Sequence, residues 1–330
     1  MDQVNRQVIL ISRPTREITA ENFRLVERAV PQPEDGQISV RNHFLSLDPY
    51  MRLRIAGLGD GETLPIGAVV IGATVGVVMR SRDVDFSPGD HVLASFGWQE
   101  YGVGYAKDMR KLTEPRISLT AHLGCAGMPG VTAWMGLHRI LGIKPADKLI
   151  VSAASGAVGG VAGQLAKEAG LHVFGVAGGP EKCRYVVEEL GFDGCLDYKA
   201  PDFIECLKQS TPSGVDAYFD NVGGSLLDAV LARMNKFGRI AVCGRMADFD
   251  GDIKPMLNPG LISDKRLRIE GFGVAEQKGW REALSQLTER VADGRLKGRE
   301  SIAYGLENAP EAFVGMLRGH NLGKQLVKLI

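Results

Sequence analysis

The chain has 330 residues, more than a single hydrophobic core usually supports, so its length predicts two domains. Its 39 basic and 39 acidic residues cancel, which argues against a nucleic acid or an anionic membrane as a partner. The five cysteines lie far apart with no C-x-x-C pair, so neither a disulfide framework nor a thiolate zinc site is expected. The first residues lack the apolar core of a signal peptide, and no apolar run reaches about 18 residues. We therefore expect a reduced, cytoplasmic protein.

Up to about residue 122, short alternating or apolar runs are separated by turn residues, a pattern typical of antiparallel strands. Little of this segment has the period of a helix. Residues 1–122 are therefore predicted to form a barrel-like β domain. Its predicted strands include FRLVERAV, GQISVRNHFLSL, AVVIGATVGVVMRS and DHVLASF.

Between residues 123 and 300, apolar strands alternate with amphipathic helices, which predicts βαβ units and a doubly wound parallel sheet. The strands are predicted in KLIVSA, HVFGVAG, GCLDY, VDAYFDNV and GRIAVCG, with a helix between each pair. Residues 301–330 are expected to return to the first domain and to end in a closing strand, GKQLVKLI. The predicted fold class is thus α/β with an additional β-barrel domain.

A glycine-rich turn, SAASGAVGG, joins the first of these strands to its helix. Gly156 and Gly159 would let a pyrophosphate approach the helix N-terminus, where backbone N–H groups and the helix dipole favour an anion. Ala153 occupies the slot usually held by a first glycine, so a plain βαβ turn with small packing residues is an alternative. The strand before the turn and the helix after it favour dinucleotide binding.

The end of the second strand distinguishes NADP from NAD. An NAD site places an acidic residue there on the ribose 2′-hydroxyl, whereas this chain has Gly178 and Gly179. Lys182 and Arg184 follow and supply positive charge, although both could simply belong to a solvated first helical turn. The missing acid and the nearby cations favour NADP.

With these residues in view, the chain resembles the zinc-independent medium-chain dehydrogenase/reductase proteins. More narrowly, it is similar to the group of prostaglandin reductase, leukotriene B4 12-hydroxydehydrogenase, plant double-bond reductase and curcumin reductase. The matching motifs run in order along essentially the whole chain: NRQV, LSLDPYMR, GMPGVTAWMGL, AASGAVG, GGPEK, GFDGCLDYK, DNVGG, RIAVCG, LRIEGF and NLGKQLVK.

The resemblance implies a GroES-like domain on the substrate side, a Rossmann domain that binds NADPH, an active site in the cleft between them, and a homodimer. It also implies cofactor contacts by motif match. The 2′-phosphate would be held by Lys182 and Tyr198, with Gly178 next to them as a further cofactor residue, and the pyrophosphate by Gly156, Ala157, Val158 and Gly159. At later strand ends, the cofactor would be lined by Asn221, Cys243 and Gly244. The nicotinamide would be flanked by Met128, Thr132, Phe272, Gly273 and Val274. Asn321 would reach the cofactor from the first domain.

Zinc is the alternative chemistry of medium-chain dehydrogenases, and it needs three protein ligands and an open position. The loop that would carry a G-H-E motif reads IGAVVIGAT instead, and the six histidines are scattered singly. No metal is therefore predicted.

The reaction that fits is hydride transfer from NADPH to the β-carbon of an α,β-unsaturated ketone or aldehyde, with a proton to the α-carbon. Negative charge then develops on the carbonyl oxygen, which needs a hydrogen-bond donor. The resembled proteins have a tyrosine in a Ser-Gln-Tyr-Asn stretch, and ungapped alignment places Phe249 there. Tyr50 is the remaining candidate phenol, with a packed aromatic at a strand end as the alternative reading.

Two other functions stay open. One is a quinone or carbonyl reductase on the same scaffold, and the other is an NADPH-binding sensor or interaction protein with little catalysis. The sequence does not name the substrate, because the shape of the pocket depends on loops such as residues 55–66 and 245–262.

Overall fold

The computed structural model describes residues 4–58, 61–249 and 255–330. The loops expected to shape the substrate pocket lie partly outside these ranges. The chain divides into two compact units, one of Met1–Leu123 with Glu300–Ile330 and the other of Gly124–Arg299. The first unit is therefore discontinuous in sequence, whereas the second is a single stretch.

Fifteen β-strands lie in the described part of the chain. They are β1 (Val4–Leu10), β2 (Phe23–Ala29), β3 (Gln37–Ser46), β4 (Thr74–Ser81), β5 (His91–Ala94), β6 (Tyr101–Tyr105), β7 (Arg110–Lys111), β8 (Lys148–Ser152), β9 (His172–Ala177), β10 (Gly194–Asp197), β11 (Val215–Asp220), β12 (Met234–Val242), β13 (Arg268–Gly271), β14 (Glu300–Tyr304) and β15 (Lys324–Lys328).

The same ranges contain nine α-helices. They are α1 (Met51–Ala56), α2 (Met128–Met135), α3 (Gly159–Glu168), α4 (Pro180–Glu188), α5 (Phe203–Ser210), α6 (Gly224–Arg233), α7 (Gly260–Lys265), α8 (Trp280–Ala292) and α9 (Ala309–Leu317).

The first unit is built on a seven-stranded sheet in the order β14-β15-β3-β4-β5-β7, with β6 paired to β3. Every strand pair formed within its N-terminal part is antiparallel, as the alternating pattern predicted, and β1 and β2 form a separate antiparallel ribbon. The closing strand β15 lies between β14, to which it is parallel, and β3, to which it is antiparallel. The predicted return of the chain therefore adds two strands, β15 and β14, to one side of β3.

The core of the first unit is aromatic at its centre. The ring of Trp98 stacks on Phe23 at a centroid distance of 5.3 Å and meets Phe313 of α9 edge-on at 5.5 Å. All three side chains are buried, and each such ring removes 150–250 Å² of surface from water, on the order of the largest single contributions to a core. Helix α9 is thus fixed to the β ribbon and sheet by its Phe313.

The second unit contains the predicted parallel sheet, with strand order β10-β9-β8-β11-β12-β13 and all pairs parallel. The order changes direction between β8 and β11, the doubly wound arrangement whose ligands bind beyond the carboxyl ends of the strands at this switch point. The strands are nearly continuous apolar runs because both faces of such a sheet are covered. The predicted Rossmann-type architecture is confirmed.

The segment GMPGVTAWMGL, singled out only as a motif, forms α2 and continues as a π-helix, Gly136–Leu141. Its glycines reflect close packing. A Cβ on Gly130 would overlap the carbonyl of Cys125, and one on Gly136 would overlap the ring of Phe219. Glycine lets this helix approach its neighbours closely at a small cost in helix propensity.

No helix in the ranges described above combines the length and the apolar character that a membrane span requires.

Candidate functional site

The glycine turn between β8 and α3 has the geometry of an anion-binding turn. Ala153, in the slot of the first glycine, adopts a left-handed φ of +49°, and its carbonyl accepts a hydrogen bond from the N–H of Gly156 at 2.9 Å. A Cβ on Gly159 would overlap that same carbonyl, so helix α3 can begin this close to the turn only with glycine. Val158 at the N-cap has no side-chain hydrogen bond to the helix. The turn Gly156-Ala157-Val158-Gly159 therefore leads into the N-terminus of α3, where a pyrophosphate would bind.

The predicted 2′-phosphate contacts come from two neighbouring strand ends. Gly178 follows β9, and a Cβ there would lie 2.9 Å from Cε1 of Tyr198 and 3.1 Å from Cε of Lys199. An acidic side chain at position 178 would therefore have to displace the side chains of Tyr198 and Lys199. Burial, and then the charge of Lys199, lower the pKa of Lys182, so the two ammonium groups are close enough to interact. The structure brings Gly178, Lys182 and Tyr198 together and adds Lys199.

Lys199 is a residue that the sequence reasoning missed, although it directly follows Tyr198 in the DYK motif. Two cations and a phenol hydroxyl around a glycine are a donor set that fits a dianionic phosphate. The nearby Asp197 makes hydrogen bonds to the backbone of this cluster. Its Oδ1 accepts from the N–H groups of Gly179 at 2.8 Å and Lys199 at 2.9 Å. That carboxylate therefore holds the two backbone segments of the cluster in place.

Asn221, Cys243 and Gly244 meet at the carboxyl ends of β11 and β12. The carbonyl oxygen of Asp220 accepts from the N–H groups of Cys243 at 2.7 Å and Gly244 at 3.1 Å. Asn221 is anchored to the end of β8, since its Nδ2 donates to the carbonyl of Ser152 at 2.7 Å and its N–H to the Ser152 Oγ at 2.8 Å. These predicted cofactor residues thus lie at the switch point of the sheet.

Phe272 is fixed by two neighbours in the second unit. Its ring meets the ring of Phe219 edge-on, with centroids 6.3 Å apart and an interplanar angle of 90°. The missing side chain of Gly136 leaves room for both rings. This packing sets the course of the backbone through Gly273 and Val274.

Met128 and Thr132 lie on the first turns of α2, and the Thr132 hydroxyl donates to the Met128 carbonyl at 2.8 Å. Helix α2 packs against the 3-10 turn Val274–Glu276, which follows Phe272 and Gly273. The segments expected around the nicotinamide are therefore neighbours.

Tyr50 and Asn321 belong to the first unit, where a buried ion pair joins their segments. Lys324, three residues after Asn321, donates to the carbonyl of Leu47 at 2.6 Å and to Oδ1 of Asp48 at 2.7 Å. Both charged side chains are buried. Sequence reasoning missed this pair, although each partner lies in one of the quoted motifs.

Tyr50 itself is not a packed aromatic, because 39% of its surface is exposed at the start of α1. The surrounding protein keeps water from the phenol oxygen, and this desolvation, followed by the charge of Asp48, raises the pKa of Tyr50 to about 12. At neutral pH the hydroxyl therefore stays protonated and can donate a hydrogen bond. Phe249, by contrast, is buried at the end of the 3-10 turn Met246–Asp248, and its ring has no donor.

Among the residues that the structure describes, no group of three or more His, Cys, Asp and Glu side chains is placed to hold a metal ion.

Comparison with known proteins identifies relatives over the whole chain. A family profile described as "N-terminal domain of oxidoreductase" matches residues 6–112, and one described as "Zinc-binding dehydrogenase" matches residues 157–289. The chain is 42% identical to the NADPH-dependent curcumin reductase of Escherichia coli (strain K12), with 99% of this chain and 97% of the relative covered. It is 39% identical to prostaglandin reductase 1 of Rattus norvegicus, with 94% of each chain covered. Identity to a tobacco 2-alkenal reductase (NADP(+)-dependent) is 36%, over 98% of this chain and 97% of the relative.

Solved structures agree with the fold. The structure of CurA from Vibrio vulnificus in complex with NADPH is 39% identical and has a TM-score of 0.94, with 98% of this chain and 99% of that chain covered. A quinone oxidoreductase of Escherichia coli complexed with NADPH has a TM-score of 0.81 at 20% identity, over 98% of this chain and 99% of that chain. The second likeness concerns the fold alone.

Proposed function

Because the chain belongs to the zinc-independent medium-chain dehydrogenase/reductase family, we propose that it is an NADPH-dependent reductase of the activated C=C bond of α,β-unsaturated ketones or aldehydes. The observation that carries the cofactor assignment is the cluster around Gly178. Tyr198 and Lys199 pack on this glycine and would have to move to admit an acid, while the charges of Lys182 and Lys199 are close enough to interact.

The roles proposed for the remaining cofactor residues are those that the family resemblance implies. The start of α3 would hold the pyrophosphate, and Asn221, Cys243 and Gly244 would line the path to the nicotinamide. Phe272 to Val274, with Met128 and Thr132, would flank the ring, and Asn321 is proposed as a further cofactor contact. When bound, NADPH supplies the hydride, and the protein supplies orientation and hydrogen bonds.

Tyr50 is proposed as the donor to the carbonyl oxygen of the substrate. The support is its exposed position, its raised pKa, which keeps the proton on the phenol, and the Lys324–Asp48 pair that fixes the turn before it. A positioned donor of this kind is worth roughly 10²–10³ in rate at other oxyanion sites. Tyr50→Phe should lower kcat with little change in the KM for NADPH.

A substitution at Phe249 tests the same role by adding a phenol instead of removing one. If one donor limits the rate, Phe249→Tyr should raise turnover of an enone, because the family's usual phenol position is filled again. An unchanged rate with Phe249→Tyr, together with a large loss with Tyr50→Phe, would assign the donor role to Tyr50 alone.

One assay separates the candidate functions. Purified protein is mixed with NADPH and a panel of enals, enones and quinones, and cofactor absorbance and products are followed. A saturated ketone or aldehyde supports the proposal. A hydroquinone or an alcohol would instead make the protein a quinone or carbonyl reductase, and tight NADPH binding without turnover of any compound would make it a sensor or interaction protein.

The cofactor assignment has its own test. Lys182→Ala and Lys199→Ala should each raise the KM for NADPH about tenfold or more, with much less effect on any activity with NADH, because only NADPH carries the 2′-phosphate. Lys208→Ala, on the exposed face of α5, is the matched control and should change neither constant. Equal losses with both cofactors would contradict the assignment.

A homodimer in a reducing, cytoplasmic compartment completes the proposal. Its support is that all five cysteines have free thiols and that β13, at the edge of the parallel sheet, is largely exposed and pairs only with β12 in the described ranges. An exposed edge of this kind is a ready site for pairing with a second copy about a two-fold axis. Ile269→Pro should leave a monomer by light scattering, and a wild-type monomer would refute the dimer.

A further inference from the structure

Asp220, the last residue of β11, is buried at the switch point of the parallel sheet. Ser152, the last residue of β8, lies opposite, with its Oγ 3.2 Å from Oδ1 of Asp220. The carboxylate therefore bridges the two strands between which the strand order reverses. This is the place where open α/β sheets bind their ligands.

The hydrogen bonds of this carboxylate are unevenly distributed over its oxygens. Oδ1 accepts from the Tyr218 hydroxyl at 2.8 Å and from the backbone N–H groups of Val222 and Gly223 at 3.0 Å each. Oδ2 is buried and has no hydrogen-bond partner within the described ranges. None of the donors is a cation, so hydrogen bonds stabilise the negative charge without neutralising it.

The negative charge of Asp220 raises the pKa of two neighbouring side chains. Burial first, and the Asp220 charge second, raise the pKa of the Cys243 thiol to about 12. The same two causes raise the pKa of the Tyr218 hydroxyl well above its usual value. Cys243 is among the residues assigned to the cofactor, and the carbonyl of Asp220 holds its N–H. The field of Asp220 therefore extends into the proposed site.

We propose that the unpaired charge of Asp220 makes the protein bind NADP⁺ more favourably relative to NADPH than the same site would without it. The two cofactors differ by one hydride, so the nicotinamide ring carries one more positive charge in NADP⁺. A fixed anion next to the residues that would line the path to the nicotinamide stabilises that positive charge and makes the bound NADPH a stronger reductant. The inference rests on the proposed function, since it requires NADP(H) at the ends of β8, β11 and β12.

The test compares dissociation constants for NADP⁺ and NADPH, measured by equilibrium titration of the full chain and its Asp220→Asn variant. Asn has nearly the same shape and can accept the same N–H and O–H donors, but it carries no charge. We expect the ratio of Kd for NADP⁺ to Kd for NADPH to rise about tenfold, as Coulomb's law gives for charges roughly 10 Å apart near a protein surface. A tenfold change corresponds to about 30 mV in the potential of the bound two-electron couple.

Two controls separate charge from structure. Tyr218→Phe removes one donor but keeps the charge, so it should leave the ratio unchanged. Adenosine 2′,5′-bisphosphate, which lacks the nicotinamide, should bind the wild type and Asp220→Asn equally. If Asp220→Asn does not fold, Asp220→Thr gives the same comparison, because its hydroxyl can still accept from the turn.

The outcomes are distinct. Equal weakening of NADP⁺ and NADPH by the charge-neutral variant, or the same ratio change with Tyr218→Phe, would show a purely structural Asp220 and overturn the inference. If the unaltered chain binds neither cofactor, the proposed function itself fails, and the inference fails with it. A selective loss of NADP⁺ affinity supports both.

Discussion

Two buried carboxylates, one in each unit, are stabilised in different ways. Asp48 in the first unit lies 2.7 Å from the ammonium of Lys324 and accepts a further bond from Ser46. Asp220 in the second unit has only uncharged donors, from Tyr218, Ser152 and the following turn. The first carboxylate is neutralised, and the second is not.

The difference separates two uses of a buried charge. A paired charge has a weaker field beyond its partner, so the main effect of the Lys324–Asp48 pair is to fix chain segments and thereby the turn that carries Tyr50. An unpaired charge costs more to bury but acts on whatever binds nearby. We infer that the first unit uses its carboxylate for geometry and the second for electrostatics.

The largest expected effect comes from breaking the pair. Lys324→Met should lower the free energy of unfolding by about 3–5 kcal/mol, because it leaves the Asp48 charge buried without its partner. Chemical denaturation of the full chain measures this loss. Lys328→Met, on the exposed position of the same strand, is the matched control and should stay near wild type.

A double variant sharpens the point. Lys324→Met combined with Asp48→Leu removes both charges, and the unfolding free energy should recover most of the loss. A double variant no more stable than Lys324→Met alone would mean that the ion pair is not the source of the effect.

Acid should destabilise the first unit through a buried base. Burial, and then the charge of Arg110, lower the pKa of His122 to about 4, below the value of about 6.5 in an unfolded chain. As the pH falls, the unfolded chain takes up the proton first. This contribution is therefore complete above pH 6.5 and is lost progressively down to about pH 4, by about 3 kcal/mol in total.

Denaturation midpoints between pH 4 and 7 measure this dependence. His122→Asn keeps an acceptor for Arg110 but does not titrate, so it should flatten the pH profile in this interval. His172→Asn, at an exposed position of the second unit, should leave the profile as it is. A profile unaffected by His122→Asn would contradict the prediction.

The smallest effect is expected at Asp220, where one of several neutral donors is removed. Tyr218→Phe should lower the unfolding free energy by about 2 kcal/mol, the usual value of a hydrogen bond to a charged acceptor. Tyr304→Phe, at an exposed position, serves as the control in the same denaturation experiment. A loss as large as that of Lys324→Met would erase the distinction between the two carboxylates.

Local pattern was enough to predict most of the fold. The strands and helices from β8 to β12 were predicted because apolar runs and amphipathic periods alternate there. Helix α2 was not, because Gly130 within it and Gly136 directly after it weaken a helical pattern. These glycines are explained by contacts with Cys125 and Phe219, which no local pattern contains.

The residues of the candidate site also fall into those that could be predicted from the sequence and those that could not. Gly178 and Lys182 could be singled out because they follow the second strand of the parallel sheet, and Tyr198 because the DYK motif resembles that of the family. Lys324 and Asp48 could not, since they are 276 residues apart and only the folded sheet brings them together. The second cation at the phosphate cluster, Lys199, was missed because an exposed lysine has no pattern of its own.

The separation of Lys324 and Asp48 along the chain also has a consequence for protein synthesis. The first unit needs β15 between β14 and β3, so it cannot be completed until about 200 residues beyond residue 123 have been made. At usual rates of translation this takes about 10–40 s, during which the contiguous second unit can fold. On a ribosome the later part of the sequence is therefore expected to become protease-resistant before the earlier part does.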